Sequence, residues 1–165
     1  MTITVGTDSY ITVAEADAYS VGRGWAAWDT ATVDQKEFAL KEATVYLDQT
    51  YTFKGSIAEA TQVLSWPRKE VEDKEGRAIS PTVVPQRVKD AQAEIGFRRL
   101  SAALVTNSAS GTVTEIQTGS VRMKFGEEGQ EVNEADAYRD VDRLLAGLYL
   151  GRAGQELISV SLTKA

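Results

Sequence analysis

VPQRVKDAQAEIGFRRLSAAL, residues 84–104, carries two apolar stripes within one predicted helix. Pro85 suits the first helical turn because its missing N–H would have no intrahelical partner there. The first stripe consists of Val84, Val88, Ala91 and Ile95, and the second, offset stripe of Ala93, Phe97, Leu100 and Leu104. A helix with two apolar faces either lies centrally in a bundle or offers one face to another subunit. The second stripe is therefore a candidate inter-subunit face.

Two capping boxes predict helices on the N-terminal side of this segment. Thr12 with Glu15 begins a helix near residues 12–21, and Thr32 with Gln35 begins one near 32–51. The second of these carries one buried stripe at helical spacing, formed by Leu40, Ala43, Thr44, Leu47 and Tyr51. A final helix over residues 134–149 is predicted from the stripe of Val141, Leu144, Leu145 and Leu148.

A β-hairpin is predicted between the last two helices. Residues 113–118 and 121–125 alternate polar and apolar around a Thr118-Gly119-Ser120 turn. The residues of this hairpin arm are Val121, Arg122, Met123, Lys124 and Phe125. Arg122 and Lys124 share the polar face, where they either touch DNA phosphates or protect an exposed strand from aggregation.

The C-terminal residues 155–165 also alternate as a strand does, following Gly151 and Gly154. Such a tail either pairs within its own chain or adds to a partner protein. Its apolar residues, the candidate partner-binding set, are Leu157, Ile158, Val160 and Leu162.

These elements predict a mainly α fold, a bundle of about four helices with an inserted β-hairpin and an extended C-terminal arm. We expect one structural domain. Its parts are a helical core over residues 1–105, with the third helix near 85–104, a linker and hairpin arm over 106–133, and the final helix with the C-terminal arm over 134–165.

Composition excludes several classes of site. The 165 residues include no cysteine and no histidine, so thiolate or histidine metal ligands and nucleophile–histidine catalysis are excluded. We expect no enzymatic activity, no cofactor and no metal. A net charge of −6 argues against broad electrostatic adhesion to nucleic acid or membranes. No apolar run approaches the roughly 20 residues of a membrane span, so we expect a cytoplasmic protein.

Several short motifs occur in a fixed order over residues 9–100. They are Ser9-Tyr10-Ile11-Thr12, Glu15-Ala16-Asp17-Ala18-Tyr19, Trp28, Tyr46-Leu47-Asp48, Phe53-Lys54-Gly55, the Trp66-Pro67-Arg68 turn, and Val84-Pro85 through Ala91. This ordered set resembles the head–tail connector, or adaptor, proteins of tailed bacteriophages. The hairpin over residues 116–125, with Gly119 at its turn, is similar to the short hairpin of those connectors.

The resemblance implies a structural virion protein. It would form a ring, expected to be dodecameric, beneath the portal protein, extend the tunnel for genomic double-stranded DNA, and present a platform to a tail or tail-completion protein. Its location would be the virion neck, after assembly in the host cytoplasm, with no membrane contact. The C-terminal tail is the candidate portal-binding segment.

Sequences of this kind are also described as DnaT-like single-stranded-DNA-binding proteins, which gives a rival interpretation. In that interpretation Trp66 and the basic residues around it would stack on bases and contact phosphates. The alternative for Trp66-Pro67-Arg68 is a structural turn in which the tryptophan packs against the bundle.

Overall fold

The computed structural model describes residues 2–101, 115–118, 121–124 and 138–153. The helices of this part are α1 (Val13–Ser20), α2 (Ala26–Asp29), α3 (Val33–Thr50), α4 (Gln86–Ser101) and α5 (Arg139–Leu145). The strands are β1 (Tyr51–Phe53), β2 (Ser56–Ile57), β3 (Arg68–Lys69), β4 (Glu115–Thr118), β5 (Val121–Lys124) and β6 (Tyr149–Arg152). They pair antiparallel as β1–β6, β2–β3 and β4–β5. The predicted mainly α fold with a β-hairpin is confirmed.

Local sequence signals determine where α1 and α3 begin. The Thr12 hydroxyl accepts a hydrogen bond from the Glu15 N–H at 3.1 Å, and the Thr32 hydroxyl accepts one from the Gln35 N–H at 3.3 Å. In both cases the third residue of the helix bonds back to the cap, which completes a capping box. Both helices therefore lie where the sequence predicts them.

Helix α4 occupies the centre of the bundle. It runs antiparallel to α3, since Gln92 contacts Thr44 while Arg99, further along α4, contacts Glu42, which is earlier on α3. A Cβ at Gly96 would lie 3.2 Å from the Leu40 side chain, so the glycine permits the close approach of the two helices.

Two residues of the proposed inter-subunit face are in fact core residues. Ala93 and Phe97 are 0% exposed because α1 and α2 cover that side of α4. The ring of Phe97 packs against the rings of Trp28, Trp25 and Tyr19, at centroid distances of 4.7, 5.0 and 6.0 Å. The prediction of a subunit contact is therefore wrong for Ala93 and Phe97, which pack inside the subunit.

A buried glutamine fastens the N-terminal segment to the two long helices. Gln92 is 0% exposed, and its Oε1 accepts a hydrogen bond from the Tyr10 N–H at 3.0 Å. Its Nε2 lies 2.7 Å from Ser9 Oγ, 2.8 Å from Thr44 Oγ1 and 2.9 Å from the Leu40 carbonyl oxygen. One side chain thereby joins three parts of the chain that are distant in sequence.

The final helix is shorter than predicted. It ends at Leu145, and Gly147 with φ 88° turns the chain into β6. Tyr149, expected at the end of the helix, instead pairs with Phe53 of β1, and Gly151, expected to release a free tail, pairs with Thr52. The apolar stripe predicted too long a helix because Leu148, its last member, lies beyond the end of α5 and directly before β6. Residues 134–137 lie outside the described residues.

The chain divides into two compact units, residues 1–104 with 140–165, and residues 105–139. The first unit contains α1 to α4 and the β1–β6 pair. The second contains the hairpin, in which Glu115 pairs with Lys124 and Thr118 with Val121.

Candidate functional site

Trp66, for which base stacking and packing against the bundle were the two interpretations, is buried. Trp66 is 1% exposed, and its ring packs edge-on against the ring of Phe53 at 5.5 Å. Trp28 is also 1% exposed, and its indole N–H donates to the Asp17 carboxylate at 2.8 Å. The hypothesis that Trp66 is a platform for bases is therefore wrong, because no face of the ring is open to a ligand.

Arg68 belongs to the Trp66-Pro67-Arg68 turn, which contains a cis Trp66–Pro67 peptide bond. Its guanidinium donates to the carbonyl oxygens of Lys54 at 2.7 Å, Gly55 at 2.8 Å and Ser65 at 3.1 Å. Burial lowers the pKa of Arg68. These bonds connect the turn to the β1–β2 corner, so the charge serves local structure.

The half-buried Asp48 carboxylate contacts the same turn from α3. The Asp48 carboxylate accepts hydrogen bonds from the Tyr10 hydroxyl and from the Ser65 N–H, the latter at 3.0 Å. Burial raises the pKa of Asp48, and burial together with the Asp48 charge raises the pKa of Tyr10. Asp48 therefore links α3 to both the N-terminal segment and the turn.

Most lysine and arginine side chains of residues 2–101 and 138–153 form ion pairs with carboxylates. Lys36 pairs with Asp17 at 2.8 Å and Lys89 with Glu15 at 2.9 Å. Lys41, Lys74, Arg77, Arg98, Arg143 and Arg152 are paired in the same way, whereas Arg99 lies at the longer distance of 3.8 Å from the Glu42 carboxylate. Counterion release on DNA binding requires cations that are free to meet phosphates. The described surface therefore offers little to a nucleic-acid backbone.

One aromatic side chain of the described residues is exposed. Phe38 on α3 is 46% exposed, and the Arg99 guanidinium of α4 lies 5.1 Å from its ring centroid. The Arg99 Nε is also 3.8 Å from the Glu42 carboxylate. A cleft of about 310 Å³ opens beside this pair, lined by Asp34, Gln35, Phe38, Arg99 and Leu100. We call this the Phe38–Arg99 cleft.

The remaining predicted site residues have different places. Leu100 is half-buried and lines the Phe38–Arg99 cleft. Val121, Arg122, Met123 and Lys124 form β5. Residues outside the described part of the chain are Leu104, Phe125, Leu157, Ile158, Val160 and Leu162.

Sequence reasoning missed the Phe38–Arg99 cleft. The available signal was that Phe38 falls off the buried stripe of α3, which leaves a large aromatic side chain on the polar face of the helix. The contribution of Arg99 could not be read from the sequence, since it depends on how α3 and α4 pack.

No group of three or more acidic side chains in the described residues is arranged to hold a metal ion. None of the described helices is long and apolar enough to cross a membrane.

A family model described as "Putative DnaT-like ssDNA binding protein" matches residues 2–164. The chain belongs to this family. No curated protein and no solved structure matches the chain. The family's description points to a DNA-related function and names no portal, tail protein or ring.

Proposed function

We propose that the protein is a structural component of a tailed-phage virion, a head–tail adaptor without catalytic residues. It assembles in the host cytoplasm into a dodecameric ring beneath the portal, in the virion neck. There it extends the DNA tunnel and carries the tail. The ordered motifs of residues 9–100 support this proposal.

The observation that carries the proposal is the division of the chain. Residues 1–104 with 140–165 form one unit, in which Val88, Ala91 and Ile95 of the first stripe and Ala93 and Phe97 of the second are buried. The hairpin belongs to a separate unit inserted between α4 and α5. A ring wall needs a self-sufficient core, and a hairpin in a unit of its own suits an arm that meets a partner. A closed ring also needs heterologous interfaces, in which two different faces of the subunit meet.

The charge distribution supports the same function. DNA that slides through a tunnel must not be held by the wall, and the described lysine and arginine side chains are mostly paired with carboxylates. A net charge of −6 has the same effect over the whole chain.

Mass photometry with negative-stain imaging tests the proposal, using the full chain alone and mixed with the portal protein encoded in the same genome. Rings or portal-bound assemblies are the expected result. Ile158→Asp should weaken portal binding, whereas Ser159→Asp, a neighbouring polar position of the tail, should not. A persistent monomer that ignores the portal would contradict the proposal.

A second candidate function is single-stranded-DNA binding. The family description and the exposed Phe38 beside Arg99 favour it. Fluorescence anisotropy with a labelled oligonucleotide tests this second function, since single-strand binding requires a measurable affinity for the oligonucleotide and the adaptor function does not.

A further inference from the structure

We infer that the Phe38–Arg99 cleft is a subsite for one unpaired nucleobase and its phosphate. The Phe38 ring is the stacking face, and the Arg99 guanidinium is the phosphate contact. The inference rests on the second candidate function, single-stranded-DNA binding, and places that function at named residues.

Phe38 has the properties of a stacking platform. Its ring is 46% exposed, although it stands on an 18-residue helix with a complete capping box. The backbone that carries the ring is therefore fixed before any ligand arrives. Stacking of a base on an aromatic ring contributes about 1–3 kcal/mol and accepts any base, since every base has a π-face.

Arg99 supplies the positive charge of the subsite. Its guanidinium lies 5.1 Å from the Phe38 ring centroid, within the range of a cation–π contact. The separation of 3.8 Å from the Glu42 carboxylate is too long for a hydrogen bond. The planar N–H groups of the guanidinium can therefore donate to a phosphate while the side chain stays against the ring.

The polar lining of the cleft gives the ligand an orientation. The Asp34 carboxylate at the first turn of α3 repels a phosphate, so the phosphate belongs on the Arg99 side. Gln35 uses its carbonyl oxygen in the capping box, where that oxygen accepts the Thr32 N–H at 2.8 Å. The amide N–H groups of Gln35 can therefore donate hydrogen bonds to a base. A volume of about 310 Å³ is at the low end for ligand pockets and suits a single base.

This geometry predicts an unusual salt dependence. Neutralising one phosphate on a single strand gives a slope of about −0.7 in a plot of log affinity against log salt concentration. A protein with a basic groove, which contacts several phosphates, shows a slope several times steeper. Binding at the Phe38–Arg99 cleft should therefore be carried by bases and persist at high salt.

The experiment measures anisotropy of the full chain with labelled oligothymidylate and with an abasic strand of the same length, over a range of salt concentrations. Phe38→Ala should weaken oligothymidylate binding about tenfold, and Phe38→Trp should preserve it. Arg99→Gln should weaken binding and flatten the salt slope. Val45→Ala is the matched control, because Val45 is 50% exposed on the same helix and does not line the cleft. Circular dichroism checks that each variant is folded.

Each outcome decides between the alternatives. If the wild-type chain binds oligothymidylate but Phe38→Ala binds as tightly as Val45→Ala, the DNA-binding function stands and the inferred site is wrong. If the abasic strand binds equally well, stacking is refuted. If neither strand binds, both the DNA-binding function and this subsite are rejected.

Discussion

Gln92→Met removes the central polar contacts of the bundle while keeping a side chain of similar length. Gln92 is fully buried, so water cannot replace the contacts that it makes. The largest effect falls on the Tyr10 N–H, because the Gln92 side chain is the acceptor of its hydrogen bond. Leaving one buried donor without a partner costs about 1–3 kcal/mol.

For the oxygen atoms around the Gln92 amide, the substitution costs less free energy. Ser9 Oγ still donates to the Ile11 carbonyl oxygen, and Thr44 Oγ1 still donates to the Leu40 carbonyl oxygen. For these groups the loss is the net value of a hydrogen bond, about 1 kcal/mol each, and burying the methionine side chain offsets part of it. We expect the free energy of unfolding to fall by about 3 kcal/mol in total.

Urea denaturation followed by circular dichroism measures this loss. Gln86→Met is the matched control, since Gln86 is an exposed glutamine at the start of the same helix and should change stability by less than about 0.5 kcal/mol. If Gln92→Met costs no more than Gln86→Met, the buried amide does not hold the bundle together and the reasoning is refuted.

Gln92→Glu tests the same contacts through pH. A protonated carboxyl can still donate one hydrogen bond, whereas an ionised one donates none and faces oxygen atoms. Burial should raise the pKa of this carboxyl in the folded protein. The variant should therefore be most stable at low pH and lose stability as the pH rises through that pKa.

Three further predictions concern stability, each measured by urea denaturation. Trp28→Phe should cost about 1–2 kcal/mol more than Trp66→Phe, because the Trp28 indole donates to a carboxylate and the equally buried Trp66 indole has no acceptor among the described residues; equal losses would contradict this. Because burial raises the pKa of Asp48, its contribution to stability is present at low pH and is lost as the pH rises through that value. Asp48→Asn should therefore flatten the decline in stability from mildly acidic to neutral pH, and an unchanged profile would be evidence against this. Gly55→Ala should cost about 2 kcal/mol more than Gly22→Ala, since both have positive φ but only a Cβ at Gly55 would overlap a backbone carbonyl oxygen of β3; a smaller difference would show that β3 can move.

Local signals in the sequence were enough to predict much of the bundle. The capping boxes of Thr12 and Thr32 act over three residues, and the stripe from Leu40 to Leu47 repeats within one helix. The two stripes of α4 left a choice between a central helix and a subunit contact. Sequence could not make that choice, because it depends on α2, a four-residue helix with no side-chain cap, covering Phe97.

Contacts between distant parts of the chain could not be predicted in the same way. The pairing of β1 with β6 joins residues near 52 to residues near 151, and neither strand shows a long alternating pattern. Arg68 reads as a charged loop residue, although its guanidinium bonds backbone carbonyl oxygens that have no sequence signature. The same limit explains why the sequence left two interpretations of Trp66 open and why Arg99 was not expected beside Phe38.

The ion pairs of the surface affect the electrostatic field around the protein more than they affect its stability. Exposed pairs such as Arg143 with Asp140 contribute at most about 1 kcal/mol each, so stability alone does not account for matching so many cations with carboxylates. Their larger effect is to cancel the positive field that would attract a nucleic-acid backbone. A protein that grips single strands by their phosphates would lose affinity from this arrangement, whereas a tunnel wall gains from it because DNA must move past. Single-strand binding is compatible with such a surface only where bases supply the affinity, which is the condition that the exposed ring of Phe38 meets.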